Sequence, residues 1–336
     1  MRGPFPRDSM LISRTPVRVS FCGGGTDVDE FATSNPSGGR VASMALDRYV
    51  YVTINPRFDD MIRISYSEME FVGSLDEIKH DLVRESLKIT GINSGVEITT
   101  IADIPGRGTG LGSSSSVTVG LLNAMHTFAG RIPTKKQLAE EACRIEIEVL
   151  GAPIGRQDQY AAAFGGINSI SFNKEGTSVE PLSVSEDTIQ RLRNEFSLVF
   201  TGQTRSANEV LGESPKSPSD KSERLLTIRE QANSAVEMLE TGNLGNLGNL
   251  LSETWKIKRG VSSSVTNPAI DGLYDRLMDL GANGAKLLGA GSGGFLLVHG
   301  GDDLREKISD ELDNGHRIIP LGLDMEGSVI IHGQSK

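Results

Sequence analysis

Pro105-Gly-Arg-Gly-Thr-Gly-Leu-Gly-Ser-Ser-Ser-Ser116 is the most informative stretch of this 336-residue chain. The alternating apolar run from Val96 to Ile104 predicts a strand before it, and the apolar segment from Val117 to Ala129 predicts a buried helix after it. Glycines let a backbone approach a ligand closely, and the first amides of a helix attract anions. We therefore interpret residues 105–116 as a phosphate cradle and refer to them below as the cradle.

Four consecutive serines end the cradle, and their hydroxyls can cap the helix, hold a phosphate oxygen or reach a metal ion. A flexible Gly/Ser linker is the alternative interpretation, but linkers do not run directly into an apolar helix. The cradle lacks the Gly-Lys-Ser/Thr of a Walker P-loop, and its glycine spacing differs from the dinucleotide-binding fingerprint. Neither of those two nucleotide-binding motifs therefore applies.

The composition excludes several classes of protein. The 34 Lys and Arg residues against 44 Asp and Glu give a net charge of −10, which disfavours nucleic acid as a partner. Two cysteines and five scattered histidines predict neither a disulfide framework nor a zinc site, and they favour a cytoplasmic location. No apolar run reaches the roughly 18 residues of a membrane span, so we expect no membrane partner.

Strand patterns dominate the first part of the chain and helical patterns the last part, which indicates the α+β class. Val41–Leu46 and Tyr49–Asn55 predict two separate strands, and the polar stretch Asn173–Asn194 predicts a bridge between domains. The expected organisation is a loose leader over residues 1–9, an N-terminal domain over residues 10–190 and a C-terminal domain over residues 191–336.

Three motifs occur in order along the chain. They are Arg14-Thr-Pro-Val-Arg-Val-Ser-Phe-Cys-Gly-Gly-Gly-Thr-Asp27, the cradle, and Lys286-Leu-Leu-Gly-Ala-Gly-Ser-Gly-Gly-Phe295. Together they closely resemble the signature motifs of the GHMP kinases, and the resemblance spans nearly the whole chain. It implies an N-terminal domain like ribosomal protein S5 domain 2 and a ferredoxin-like C-terminal domain, with ATP and the acceptor bound between them.

The resemblance implies which residues bind the nucleotide and its metal. The expected ATP-binding residues are Pro105, Gly106, Arg107, Gly108, Thr109, Gly110, Leu111, Gly112, Ser113, Ser114 and Ser115. Mg²⁺ is expected to bind Ser114 and Glu146. Glu148 is the alternative to Glu146, because residues two apart point to different faces of a helix and only one of the two can face the ion. A solvated helix face is the other interpretation of either glutamate.

The segment Gly155-Arg-Gln-Asp158-Gln-Tyr160 resembles the family loop that carries the catalytic aspartate. It implies that Asp158 accepts the proton of the acceptor hydroxyl, while Arg18 keeps Asp158 ionised and stabilises the developing charge. From local sequence alone, Asp158 also suits a cap for a helix over residues 159–164. Arg18 likewise suits an ordinary position on a strand surface.

The resemblance also implies an acceptor site. Its expected residues are Gly24, Gly25, Thr26, Asp27, Arg205, Gly291, Ser292 and Gly293. Galactokinase-type sequences carry Glu-His where this chain has Gly24-Gly25, which disfavours galactose. The loop Gly289–Gly294 is expected to close over acceptor and phosphates, although a tight turn between strands would use some of the same residues.

With Phe200-Thr-Gly-Gln-Thr-Arg205, the motifs look most like the heptose 7-phosphate kinase branch of the family. That branch implies a sugar phosphate acceptor that is phosphorylated on its anomeric hydroxyl. Arg205, with Arg156 or Lys286, is expected to hold the distal phosphate, since a cationic side chain binds a phosphate group. Each of the three residues could instead be an ordinary cation on the protein surface.

Three functions compete at this point. They are a sugar 1-kinase, a non-catalytic relative that uses the fold for binding, and an RNA-binding module of the ribosomal S5 type. The candidate base and metal residues favour the kinase, and the acidic charge disfavours RNA. A fucose- or galactose-type acceptor stays open, as does the choice between monomer and homodimer.

Overall fold

The computed structural model describes residues 10–105, 108–204, 218–312 and 317–333, without the side chains of residues 218, 219, 263 and 302. The strands are β1 (Leu11–Cys22), β2 (Gly39–Pro56), β3 (Ile62–Ser65), β4 (Met69–Val72), β5 (Val96–Ala102), β6 (Ile167–Asn173), β7 (Gly176–Pro181), β8 (Phe196–Phe200), β9 (Gly284–Leu287), β10 (Phe295–His299), β11 (Ile318–Pro320) and β12 (Val329–His332).

The helices are α1 (Asp29–Ser34), α2 (Asp81–Thr90), α3 (Ser113–Phe128), α4 (Lys135–Cys143), α5 (Gln157–Phe164), α6 (Glu186–Glu195), α7 (Pro218–Thr241), α8 (Leu244–Arg259), α9 (Pro268–Asp279) and α10 (Asp302–Glu311). A π-helix, Arg144–Val149, continues α4, and Leu75–Glu77 and Ser263–Val265 are short 3-10 turns. Two sheets with helices packed against them confirm the α+β class. Among the described residues, no helix combines the length and the apolar character that a membrane crossing requires.

The long strand β2 organises the first sheet. It pairs with β1 along one edge, while the other edge pairs first with β6 and then with β5. The two strands predicted over residues 41–55 are therefore one strand, so that prediction was wrong. Asp47 and Arg48, which suggested a break, lie at a bulge opposite β1, and the Asp47 amide donates to Gly322 O at 3.1 Å.

Helix α3 lies buried against β1 and β2, which fixes the start of the helix relative to the sheet. Gly120 allows the close approach, since a Cβ there would lie 3.0 Å from Thr15 Oγ1 and 3.2 Å from Val52 Cγ2. The apolar segment after the cradle is thus a core helix, as predicted. Its N-terminus is held in place by the packing of its whole length.

The second sheet has the order β11-β8-β10-β9 and is antiparallel throughout. Helix α8 packs on β9 and α7 packs on β1 and β2, so helices of the second half of the chain contact both sheets. Trp255 is the largest of the fully buried side chains on α8. The two halves of the chain therefore share helices as well as loops.

The chain passes from the first sheet to the second between β7 and β8, while the expected domain boundary near residue 190 stays a prediction. The final strand β12 returns to the first sheet beside β1, so residues 191–336 do not all lie with the second sheet. The stretch Asn173–Asn194, expected as the bridge between domains, contains β7, paired with β6, and α6, packed on β8; its role as a bridge stays a prediction. Both elements are polar because one face of each is exposed. The expected leader, residues 1–9, lies outside the described residues.

The N-terminal and C-terminal halves of the chain contact each other through their main chains, where the cradle packs against the loop Gly289–Gly294. A Cβ on Gly110 would lie 2.5 Å from Leu288 O, and a Cβ on Gly294 would lie 2.2 Å from Thr109 O. The Phe295 amide donates to Thr109 O at 3.1 Å and extends this contact into β10. Glycine is required at this junction because no side chain fits between the two loops.

We predict that Gly294→Ala destabilises the protein by roughly 2–4 kcal/mol, since alanine would meet Thr109 O at a residue with φ of +99°. Gly272→Ala is the matched control, because Gly272 is exposed in α9 and a Cβ there meets nothing within 4 Å. The control should gain about 0.5–1 kcal/mol from helix propensity. Urea unfolding of both variants measures the difference, and equal stabilities would contradict the described junction.

Candidate active site

The cradle turns into α3 at Gly112, whose dihedrals are left-handed with φ of 76° and ψ of 24°. Gly108 and Gly110 also have positive φ, so alternate positions of the loop favour glycine. The bond from Ser116 N to Gly112 O, at 3.0 Å, starts the helix. The amides of residues 113–115 precede it and lie at the free end of the helix, which is the geometry that binds anions.

The remaining predicted ATP-binding residues frame this helix terminus. Thr109 and Ser113 are buried and their hydroxyl oxygens lie 3.0 Å apart, while Leu111 O accepts the Arg18 amide at 2.9 Å. Pro105 is exposed at the entry to the loop. Gly106 and Arg107 lie outside the described residues, so their role in binding ATP stays a prediction.

Arg18 and Asp158 meet directly beside the cradle. Arg18 Nε donates to Asp158 Oδ1 at 2.7 Å, and Nη2 lies 2.5 Å from the same oxygen. Arg18 Nη1 donates to Gly110 O at 2.6 Å. Arg18 is therefore a buried link between β1, the cradle and α5, not an exposed arginine of the strand.

The second carboxylate oxygen of Asp158 faces the start of α3. A Cβ on Gly112 would lie 3.1 Å from Oδ2, and within the described part of the chain Oδ2 accepts no hydrogen bond. Asp158 occupies the first turn of α5, where the N-cap residue is Arg156 and no side chain caps the helix. The capping alternative for Asp158 was therefore wrong, and one oxygen is available beside the cradle.

Ser114 and Glu146 also come together, as the metal hypothesis requires. Ser114 Oγ donates to Glu146 Oε1 at 3.1 Å, and Gln159 Nε2 donates to Oε2 at 2.8 Å. Burial raises the pKa of Glu146 to about 7, against the lowering effect of these hydrogen bonds. Glu148 is exposed, so the π-helix directs only Glu146 toward the cradle.

Asp27 is buried and largely occupied by donors from the protein. Its Oδ1 accepts Gly25 N at 2.9 Å, and its Oδ2 accepts both Gln157 N at 3.1 Å and Gln157 Nε2 at 3.0 Å. Burial, together with the charge of Asp158, raises the pKa of Asp27. Gly155 permits this packing, since a Cβ there would lie 2.0 Å from Oδ2.

Two neighbours of Asp27 shape the same loop in different ways. Thr26 donates its hydroxyl to Gly23 O at 2.8 Å and accepts the Arg40 amide at 3.0 Å, so this hydroxyl holds the loop in place. A Cβ on Gly24 would make only ordinary contacts, since its nearest atoms would be Ser20 Oγ and Gln157 Nε2, each at 3.6 Å.

The predicted loop Gly289–Gly294 lies against the cradle and against Val265. A Cβ on Gly291 would lie 2.5 Å from Val265 O, and the Ser292 amide donates to the same oxygen at 2.9 Å. Ser292 has a positive φ of 62° and its hydroxyl donates to Ser264 O. Gly293 is buried beside it. The centre of the loop is thus held by contacts with Val265 and Ser264. A simple turn between two strands does not need such contacts.

The cations expected at a distal phosphate differ in availability. Arg205 lies outside the described residues. Arg156 pairs with Asp29 Oδ1 at 2.5 Å and keeps about a quarter of its side chain exposed. Lys286 is buried and donates to Ser20 O at 2.6 Å and Phe21 O at 2.7 Å, and burial lowers its pKa to about 8. Lys286 therefore joins β9 to β1 and does not face solvent.

The sequence reasoning missed the two glutamines that flank Asp158. Gln157 holds Asp27, and Gln159 holds Glu146, so α5 positions both carboxylates as well as carrying Asp158. Their positions on either side of Asp158 could have revealed this role. Polar residues that flank a candidate base in a buried helix need hydrogen-bond partners of their own.

Comparison with known proteins places these motifs in one family. The model of the GHMP kinases N terminal domain matches residues 78–166, and that of the GHMP kinases C terminal domain matches residues 235–316. A D-glycero-alpha-D-manno-heptose 7-phosphate kinase from Campylobacter jejuni is 30% identical over 299 residues, which cover 84% of this chain and 87% of that protein.

Two further proteins are similar over most of this chain. An L-fucokinase/L-fucose-1-P guanylyltransferase from Bacteroides fragilis is 27% identical over 87% of this chain, which corresponds to 34% of that longer protein. The crystal structure of a D-glycero-D-manno-heptose 1-phosphate kinase from Bacteroides thetaiotaomicron superposes with a TM-score of 0.79 at 24% identity, covering 96% of this chain and 99% of that one. The motifs, the fold and these matches agree, and the chain belongs to the GHMP kinase family.

Proposed function

We propose that this chain is an ATP-dependent kinase that phosphorylates the anomeric (C1) hydroxyl of a sugar phosphate, with D-glycero-D-manno-heptose 7-phosphate as the preferred acceptor. The observation that carries the proposal is the carboxylate of Asp158. One of its oxygens is held by the buried Arg18, and the other faces the helix terminus of the cradle. A base beside an anion site is what phosphoryl transfer to a hydroxyl requires.

The reaction follows from this arrangement. The C1 oxygen of the acceptor attacks the γ-phosphorus of ATP while Asp158 Oδ2 takes the hydroxyl proton, and the bond between the γ-phosphorus and the bridging oxygen breaks to release ADP. The free amides at the start of α3 stabilise phosphate charge. Arg18 fixes the position of Asp158 Oδ1 and thereby directs Oδ2 toward the acceptor hydroxyl.

Ser114 and Glu146 fit a magnesium ion bound together with the ATP phosphates. Their oxygens lie 3.1 Å apart, and Glu146 is a buried carboxylate whose hydrogen-bond donors, Ser114 and Gln159, are both neutral. One carboxylate and one hydroxyl would suffice together with the phosphates, because Mg²⁺ is usually bound by few protein ligands. The bound ion would neutralise charge on the phosphate oxygens.

The choice of acceptor rests on the motifs and on the relative from Campylobacter jejuni, which is a heptose 7-phosphate kinase. Galactokinase-type sequences carry Glu-His where this chain has Gly24-Gly25, and the lack of those two side chains suits a sugar other than galactose or larger than it. Arg205 stays our candidate for the distal phosphate, and Arg156 is a second candidate because part of its side chain is exposed.

A panel of acceptors tests the proposal through ADP release. Heptose 7-phosphate should give the largest kcat/KM, ahead of L-fucose and D-galactose, and NMR of the product should place the new phosphate on C1. Faster turnover of fucose or galactose would support the alternative of another sugar 1-kinase. Absence of ATP turnover with every sugar would support a non-catalytic binding protein with this fold.

We predict that Asp158→Asn lowers kcat about 100- to 10,000-fold, because the amide accepts no proton, while the KM for ATP changes little. Glu148→Gln is the matched control and should keep normal activity, since Glu148 is exposed on the π-helix. Steady-state kinetics of both variants give the comparison. Near-normal turnover by Asp158→Asn would move the role of base to another residue.

Glu146→Gln should raise the Mg²⁺ concentration needed for half-maximal activity at least about tenfold, because the carboxylate oxygen that binds the ion is lost. A titration of MgCl₂ at saturating ATP and acceptor measures this value for wild type, Glu146→Gln and the Glu148→Gln control. A requirement that is the same for all three proteins would exclude Glu146 as a ligand.

A further inference from the structure

The side chain of Gln157 contains a buried acceptor that has no partner. Gln157 is 8% exposed, and within the described part of the chain its Oε1 is buried without a hydrogen-bond partner. An unpaired buried carbonyl carries a desolvation penalty, so such a group in a native protein calls for a ligand or an ordered water. The other end of the same side chain is engaged, since Nε2 donates one hydrogen bond to Asp27 Oδ2 at 3.0 Å.

The orientation of this amide follows from the charge of Asp27. Rotating the amide by 180° would place Oε1 against a carboxylate oxygen at about 3 Å, an arrangement of two acceptors that the amide avoids. The free end of Gln157 is therefore the carbonyl oxygen, which accepts hydrogen bonds from hydroxyl groups.

Asp27 itself has little capacity left for a sugar. Its two oxygens already accept three hydrogen bonds from Gly25 N, Gln157 N and Gln157 Nε2, out of roughly four lone-pair positions in a carboxylate. The expected sugar ligand of this loop is thus largely engaged with the protein, whereas Gln157 Oε1 remains unpaired.

The location of Gln157 is the second argument. It precedes Asp158 on α5, and its amide borders Gly24, where a Cβ would lie 3.6 Å from Nε2. The amide therefore lies beside the first glycine motif and on the helix that carries the proposed base, so it belongs to the same part of the candidate site.

We propose that Gln157 Oε1 accepts a hydrogen bond from a hydroxyl of the acceptor sugar other than the one that reacts, and that Gln157 thereby determines acceptor specificity. This inference rests on the proposed kinase function. It gives Asp27 the additional task of orienting Gln157, so the two residues act as a pair at the acceptor site.

The test is steady-state kinetics of Gln157→Met, which keeps the length of the side chain and removes both the carbonyl and the amide nitrogen that donates to Asp27. The kcat/KM for the sugar should fall about 10- to 100-fold, while the KM for ATP stays within about twofold of the wild-type value. Gln190→Met is the matched control, since Gln190 is exposed on α6, and it should leave both parameters unchanged. A loss that affects ATP and sugar equally would indicate a structural role and overturn the inference.

Acceptors that each lack one hydroxyl identify the contact. Wild type should lose about 10- to 100-fold in kcat/KM with one of these deoxy sugar phosphates, and Gln157→Met should lose little further with that same compound. Equal losses for both proteins with every deoxy compound would show that Gln157 pairs with water or with the protein.

Gly24→Ala provides a variant that should fold, because its Cβ finds only ordinary contacts and Gly24 has no positive φ. Its methyl group should raise the KM for the sugar severalfold without changing the KM for ATP, and an unchanged sugar KM would contradict the assigned location. If wild type releases no ADP with any sugar, the proposed function itself fails. If wild type is active and the Gln157 variant keeps its sugar kinetics, only this inference fails.

Discussion

The buried guanidinium of Arg18 is the contact on which the rest of the site depends. It bonds Asp158 through two nitrogens and Gly110 O through the third, while its backbone amide bonds Leu111 O. One strand residue thus fixes both the candidate base and the phosphate loop. Removing one partner of a buried pair costs about 3–5 kcal/mol, because the other charge stays buried without compensation.

The second constraint is the contact of the two glycine loops across the halves of the chain. Neither loop could approach the other if Gly110 or Gly294 carried a side chain. Lys286 adds a tie between the halves, since its ammonium group holds two carbonyl oxygens at the end of β1. The first glycine motif, the cradle and the third motif are therefore one continuous structure, although they are far apart in the chain.

Local patterns predicted the glycine loop and the buried helix that follows it, because each depends on features within one element, whereas the preference for Glu146 came from the family resemblance. Glu146 and Glu148 lie two apart on one helical segment, so only one of them could face the cradle. The long strand β2 and the roles of Gln157 and Lys286 were not predictable in this way. The continuity of β2 depends on pairing with β1, and Gln157 and Lys286 depend on Asp27 and Phe21, which are more than 100 residues away; a local pattern contains no information about such pairings.

The central claim is that Arg18 acts in catalysis through Asp158. A double-mutant cycle on kcat with Arg18→Met, Asp158→Asn and the double variant tests it most directly. The account predicts strong coupling, with the double variant within about threefold of the more damaging single variant, because Arg18 has little left to position once the base is lost. If the loss of kcat in the double variant equals the product of the losses in the two single variants, the account is contradicted and Arg18 has a separate role.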